Sequence, residues 1–128
     1  MTPVYPLFIN GEFKDSPNKQ KIINPSTGEI IAEVAIASEK DTDSTIEAAR
    51  LAFDKGPWPR ISLEERKDFI LKISQGILDK AGELAKLESL NTGKPIKEST
   101  LMDIPSSAKT FEYFANNLEK YLGADTLK

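Results

Sequence analysis

Ser106-Ser107-Ala108-Lys109 has the S-x-x-K spacing in which a lysine amine can activate a serine hydroxyl as an acyl nucleophile. That chemistry relies on the companion motifs S-D-N and K-T-G. The chain has neither, so chance explains the match better. Gly93-Lys94 matches the end of a phosphate-binding loop, but Glu88 stands where that loop needs its first glycine. Pro95 stands where it needs a hydroxyl residue. A glycine helix stop followed by proline is the better reading. Glu64 and Glu65, like Asp41 and Asp43, are explained by attraction to positive helix N-termini rather than by acid–base work. Tyr113-Phe114 could stack on a ligand, although aromatic residues in this helical pattern read as core. Gly56-Pro57-Trp58-Pro59 reads as a rigid corner with the indole packed beneath it. No constellation amounts to an active site.

The 128 residues include no cysteine and no histidine. Disulfides, thiolate nucleophiles, cysteine metal sites and the usual neutral-pH base are therefore absent. Carboxylates remain able to bind a hard cation. Hydrophobic content of 39% and charged content of 29% are ordinary for a globular chain long enough to bury a core. A net charge of −3 with scattered lysines gives no reason to expect nucleic acid as a partner. No apolar run is long enough to span a membrane, and Met1-Thr2-Pro3-Val4-Tyr5 lacks the pattern of a signal peptide. A cytoplasmic location is expected.

The elements that must position any site change period near Ser38. Leu7-Phe8-Ile9 and Phe13 flank Asn10-Gly11, a two-residue hairpin signal. Lys21-Ile22-Ile23 and residues 29–37 read as strands joined by a turn that Pro25 and Gly28 shape. Ile30, Ala32, Val34 and Ile36 share one face of the second strand, and its other face is only partly polar, which predicts cover on both sides. Ser38 and Asp41 predict a capping box, with Ile46, Ala49 and Phe53 as the buried stripe and Gly56-Pro57 as the stop. Ser62 and Glu65 predict a second box, with Phe69, Ile70, Ile73 and Ile77 on one face. Gly82 is expected to bend or break that helix before Leu84, Leu87 and Leu90, and Thr92-Gly93 to end it. A third helical region starts near Ile96, with Asp103 as a cap before Pro105. Ala108, Phe111, Ala115, Leu118 and Leu122 form its apolar stripe and Gly123 its close. Strands occupy about residues 7–37 and helices about residues 38–122. The strands look too small to cover these stripes, which predicts a missing layer supplied by more chain or a second copy.

Asn24-Pro25-Ser26-Thr27-Gly28-Glu29 and Asn91-Thr92-Gly93-Lys94-Pro95, with Phe8-Ile9-Asn10-Gly11-Glu12, stand in an order and spacing that resemble the first quarter of an NAD(P)-dependent aldehyde dehydrogenase. The connecting text agrees: Ala48-Ala49-Arg50-Leu51-Ala52-Phe53 before a Trp-Pro corner, residues 62–66, then Glu112-Tyr113-Phe114-Ala115. The betaine-aldehyde branch is the nearest in flavour.

The resemblance implies an α/β fold of short antiparallel strands followed by three helical regions. Residues 1–128 would be one partial domain, the outer part of the coenzyme-binding domain without its central parallel sheet. The catalytic cysteine, the general-base glutamate, the NAD or NADP site and the arm used for oligomerisation would lie beyond Lys128, leaving this segment inactive. Met102, Asp103 and Ser106 match positions lining the substrate tunnel. Ile23, through its carbonyl, and Asn91 match ligands of a monovalent cation, although Asn91 replaces the usual aspartate. Expected partners are the rest of the enzyme chain or another copy, and an aldehyde in the complete enzyme. Composition alone equally allows a non-catalytic helical interaction module.

Overall fold

A computed structural model describes residues 2–122. Five short strands come first: β1 (Val4–Tyr5), β2 (Leu7–Ile9), β3 (Glu12–Lys14), β4 (Lys19–Ile23) and β5 (Ile30–Ala35). Helices α1 (Glu39–Lys55), α2 (Leu63–Asp79), α3 (Ala81–Thr92), α4 (Ile96–Glu98), α5 (Ile104–Asn116) and α6 (Leu118–Leu122) follow. A 3-10 turn lies at Trp58–Arg60 and a π-helical segment at Ser99–Asp103. The chain divides into two compact units. One holds residues 2–59 with Leu90–Gly93, the other Arg60–Ser89 with residues 94–122.

In the first unit, β2 and β3 form the hairpin expected of Asn10-Gly11, both of which adopt positive φ (52° and 85°). Phe8 stands opposite Phe13 with ring centroids 5.0 Å apart, and both rings are exposed. In the three-stranded sheet β5 is central, antiparallel to β4 and parallel to β1. The parallel β1 is not expected from the sequence, because two residues carry no period to read. Helix α1 opens with the Ser38–Asp41 capping box. It ends at Gly56, where a Cβ would meet the Ala52 carbonyl oxygen at 2.2 Å. Lys14 Nζ donates to Asp41 Oδ1 at 2.5 Å, tying the hairpin to the helix start.

In the second unit, α2 opens with the Ser62–Glu65 box and packs on α5. Small side chains, together with Ile104, are the buried residues of these two helices. Ser74 Oγ donates to the Ala108 carbonyl at 2.9 Å, and Ala108 and Ala115 are buried two turns apart on α5. The helix breaks at Lys80, two residues before the expected Gly82.

Several expected core positions are exposed. Ile46 and Phe53 on α1 are 62% and 61% exposed, and Ala49 lies on the same open side. Phe69 and Ile73 on α2 are about half exposed, whereas Ile70 and Ile77 are half-buried. Tyr113 and Phe114 meet edge to face at 5.4 Å but stand in the open, and Trp58 is also largely exposed. On the last stripe Phe111 and Leu122 are exposed, and the helix breaks at Asn117. The expected close at Gly123 lies outside the described residues. Periodicity identifies an apolar face, and at these positions that face is exposed.

The Asp41 carboxyl is held far below the usual carboxylate range. The Lys14 hydrogen bond contributes most, followed by the hydroxyl and amide of Ser38. Such a group stabilises the fold fully above its unfolded pKa of about 4, and that contribution is lost as pH falls toward the folded value. Asp41→Asn should melt at a lower temperature than the parent at about pH 7, with a gap that closes below about pH 4. A gap that is constant with pH would show that the charged contacts of Asp41 do not stabilise the fold.

Candidate functional site

The candidate residues fall in two places, one in each unit. In the first unit Asn24 is buried and organises the turn after β4. Its Oδ1 accepts the Ser26 N–H at 2.9 Å, and its carbonyl accepts those of Thr27 and Gly28 at 3.3 and 2.8 Å. Asparagine suits this role because its short side chain bonds the backbone two residues on. Gly28 leaves the turn at φ 74°. The end of α3 rests against it: Gly93 has φ 76°, and a Cβ there would fall 2.8 Å from Pro25 Cγ and 3.3 Å from Ser26 Oγ. That approach brings the segments carrying Ile23 and Asn91 together, with both residues exposed. The Ile23 main-chain carbonyl and the Asn91 side-chain amide are both neutral. Among the described residues no cluster of three or more His, Cys, Asp or Glu could hold a metal.

In the second unit Met102, Asp103 and Ser106 lie on and just after the π-helical segment. Met102 and Ser106 are exposed and four residues apart, so they share a face. Asp103 is not a cap. Its backbone is helical (φ −65°, ψ −52°) and its side chain makes no cap hydrogen bond. A proline inside a helix collides with the carbonyl four residues earlier, here Leu101, and the widened turn ahead of Pro105 relieves this. The Asp103 carboxylate accepts Lys94 Nζ at 2.7 Å, and this hydrogen bond raises the lysine pKa above its ordinary value. No sequence signal points to the pairing, since nine residues across a helix stop follow no period. Ser99, at the head of the segment, is fully buried, and its hydroxyl has no partner among the described residues.

Neither long helix that begins with a cap presents a fitting end to a dinucleotide. The Ser38–Asp41 and Ser62–Glu65 boxes occupy first-turn N–H groups, and Glu39 and Glu64 add negative charge beside them. A pyrophosphate would meet like charge at either end. The S-x-x-K pair, Ser106 and Lys109, lies on an exposed surface without enclosure. An open groove beside α2 is lined by Asp68, Lys72, Gln75 and Glu112, a mixed set of charges with no convergent geometry.

A family model described as "Aldehyde dehydrogenase family" matches residues 13–128. Aldehyde dehydrogenase 1 of Tanacetum cinerariifolium is 45% identical over 124 residues, which is 95% of this chain and 25% of that protein. The crystal structure of an NAD-dependent aldehyde dehydrogenase from Sinorhizobium meliloti superposes with a TM-score of 0.87 at 32% identity, over 94% of this chain and 24% of that one. An NAD+ complex of an aldehyde dehydrogenase from Bacillus cereus gives 0.84 at 36% identity, over 88% and 23%. The chain spans about a quarter of the length of the curated relatives it matches.

Gly93 and Gly28 separate backbone strain from close approach. Both have positive φ, but nothing lies within 4 Å of a Cβ at Gly28. Gly28→Ala should cost about 1 kcal/mol in urea unfolding for the left-handed backbone alone. Gly93→Ala should cost about 2–3 kcal/mol, because Pro25 must also move. Equal costs would show that the turn is free to give way.

Proposed function

The chain belongs to the aldehyde dehydrogenase family, and from that premise we propose that it is the amino-terminal segment of an enzyme oxidising an aldehyde to a carboxylic acid. The observation that carries this reading is the pairing of two facts. The match runs through residues 13–128, yet those residues correspond to only a quarter of each relative's length. The chemistry implied is nucleophilic addition of a cysteine thiolate to the carbonyl and release of the acyl group by water that a glutamate activates. NAD(P)+ would supply the hydride acceptor. This chain has no cysteine, and neither capped long-helix N-terminus fits a dinucleotide. It would therefore serve as scaffold, with Met102, Asp103 and Ser106 lining the aldehyde's path and the reacting groups supplied elsewhere.

The uncovered apolar side chains support the same reading. Ile46, Phe53, Phe69 and Ile73 are large, exposed and regularly spaced, as expected where further protein packs. The test is direct. The purified 128 residues should form no NAD(P)H from acetaldehyde or longer aldehydes, at any enzyme concentration. Aldehyde-dependent NAD(P)H formation by material free of longer product would sink the proposal of an inactive segment.

The Ile23 carbonyl and the Asn91 side chain are proposed as oxygen ligands of a monovalent cation. An amide oxygen can ligate such an ion but contributes no charge. In the complete enzyme potassium should raise the melting temperature above that in tetramethylammonium at equal ionic strength. Asn91→Asp should enlarge that difference, since ligand binding to the folded state adds stability that grows with the logarithm of affinity. Identical melting in both salts, for parent and variant alike, would remove the site.

A further inference from the structure

We infer that Lys94 is a positioning residue for aldehyde selection: by holding Asp103 it fixes the widened turn that presents Met102 and Ser106. The inference rests on the proposal that Met102 and Ser106 line the substrate tunnel.

An α-helical turn over Ser99–Asp103 would stand one residue out of register with the widened turn. Each residue of an α-helix advances about 100° around the axis, so the change would swing Met102 by roughly a quarter turn. Pro105 disfavours the α register from one side. Lys94 acts from the other. Its ammonium spans nine residues to the carboxylate of Asp103, the last residue of the segment, at 2.7 Å. The lysine itself is anchored, because Ser89 Oγ donates to its carbonyl at 2.7 Å. Asp103 is held at both ends, its own carbonyl accepting Ser107 Oγ at 2.8 Å. Met102 precedes Asp103 directly, and Ser106 follows on the same face as Met102. An ion pair that fixes Asp103 therefore fixes the direction in which Met102 and Ser106 point. With side chains 34% and 31% exposed, the pair is partly screened and its effect is modest.

The experiment compares kcat/KM for a short and a long aliphatic aldehyde in the complete enzyme at saturating NAD+. Lys94→Met should change the long-to-short ratio about two- to fivefold, the size set by a partly screened pair. KM for NAD+ should stay at the parent value, and Lys94→Arg should restore the ratio. Asp103→Asn keeps the side chain's size and should reproduce the shift. The double variant should add nothing further, as expected of partners in one interaction. Lys94→Gln, which keeps a polar end without the charge, carries the test if Lys94→Met yields no soluble enzyme. Met102→Trp is measured alongside. If Met102→Trp alters the ratio while Lys94→Met and Asp103→Asn lower both aldehydes equally, or neither, the positioning role is overturned and the tunnel stands. If Met102→Trp leaves the ratio unchanged, the tunnel reading falls, and the role of Lys94 falls with it.

Discussion

Burial in this chain is carried by small side chains, and most of its other features follow from that. Ala85, Ala108 and Ala115 are 1% exposed and Ser99 is fully buried, while Phe8, Phe13, Phe53 and Phe69 remain largely in the open. Burying a Leu, Ile or Phe side chain stabilises by about 1.5–3 kcal/mol, and an alanine methyl recovers far less. Ordering the backbone costs on the order of 1–2 kcal/mol per residue. An interior made mostly of alanine and serine, with Ile104 beside them, gives α2 and α5 close approach but limited hydrophobic stabilisation. Among the described residues Ile104 is a large apolar side chain that is buried, while many of the others are half-buried or exposed.

With little core to hold them, the elements depend on local punctuation. Each long capped helix begins at a serine whose hydroxyl accepts the N3 amide while the N3 carboxylate returns to the serine N–H. Two glycines at positive φ and one buried asparagine shape the turn on which α3 ends. Lys14 joins the hairpin to the first of these caps, so Asp41 serves as both capping residue and ion-pair partner. Its carboxylate is spent on these bonds and is unavailable for the hard-cation chemistry that composition alone allowed.

The same distinction explains what can be read from the sequence. Asn10-Gly11, the two capping boxes and the Gly93 stop are legible because each is decided within four or five residues. The pairing of Val4–Tyr5 with β5 is not, since it joins residues nearly thirty positions apart. Spacing places Phe69 and Ile73 on the correct helix and in the wrong environment. It reports that a face is apolar, whereas burial depends on whether anything stands opposite. Asp103 departs from expectation for a related reason. Asp before Ile-Pro is a plausible cap, but here the helical backbone runs through it and its carboxylate is taken by Lys94. Of the candidate site, the residues are visible in the sequence, and their partner is visible only in the folded chain.

The π-helical segment shows how such a partner becomes necessary. A proline two residues into α5 removes one donor and obstructs one carbonyl, and the turn opens to a five-residue spacing in response. A widened turn is a poorer structure than the helix it interrupts, and it leaves the buried Ser99 hydroxyl without a partner among the described residues, a deficit worth about 1–3 kcal/mol. It persists only where neighbouring contacts over-determine it. The described contacts at its far end are the Lys94 ammonium on the Asp103 carboxylate and the Ser107 hydroxyl on the Asp103 carbonyl. Both converge on one residue, the one that follows Met102. A local conflict introduced by Pro105 is thereby converted into a defined direction for the neighbouring side chains.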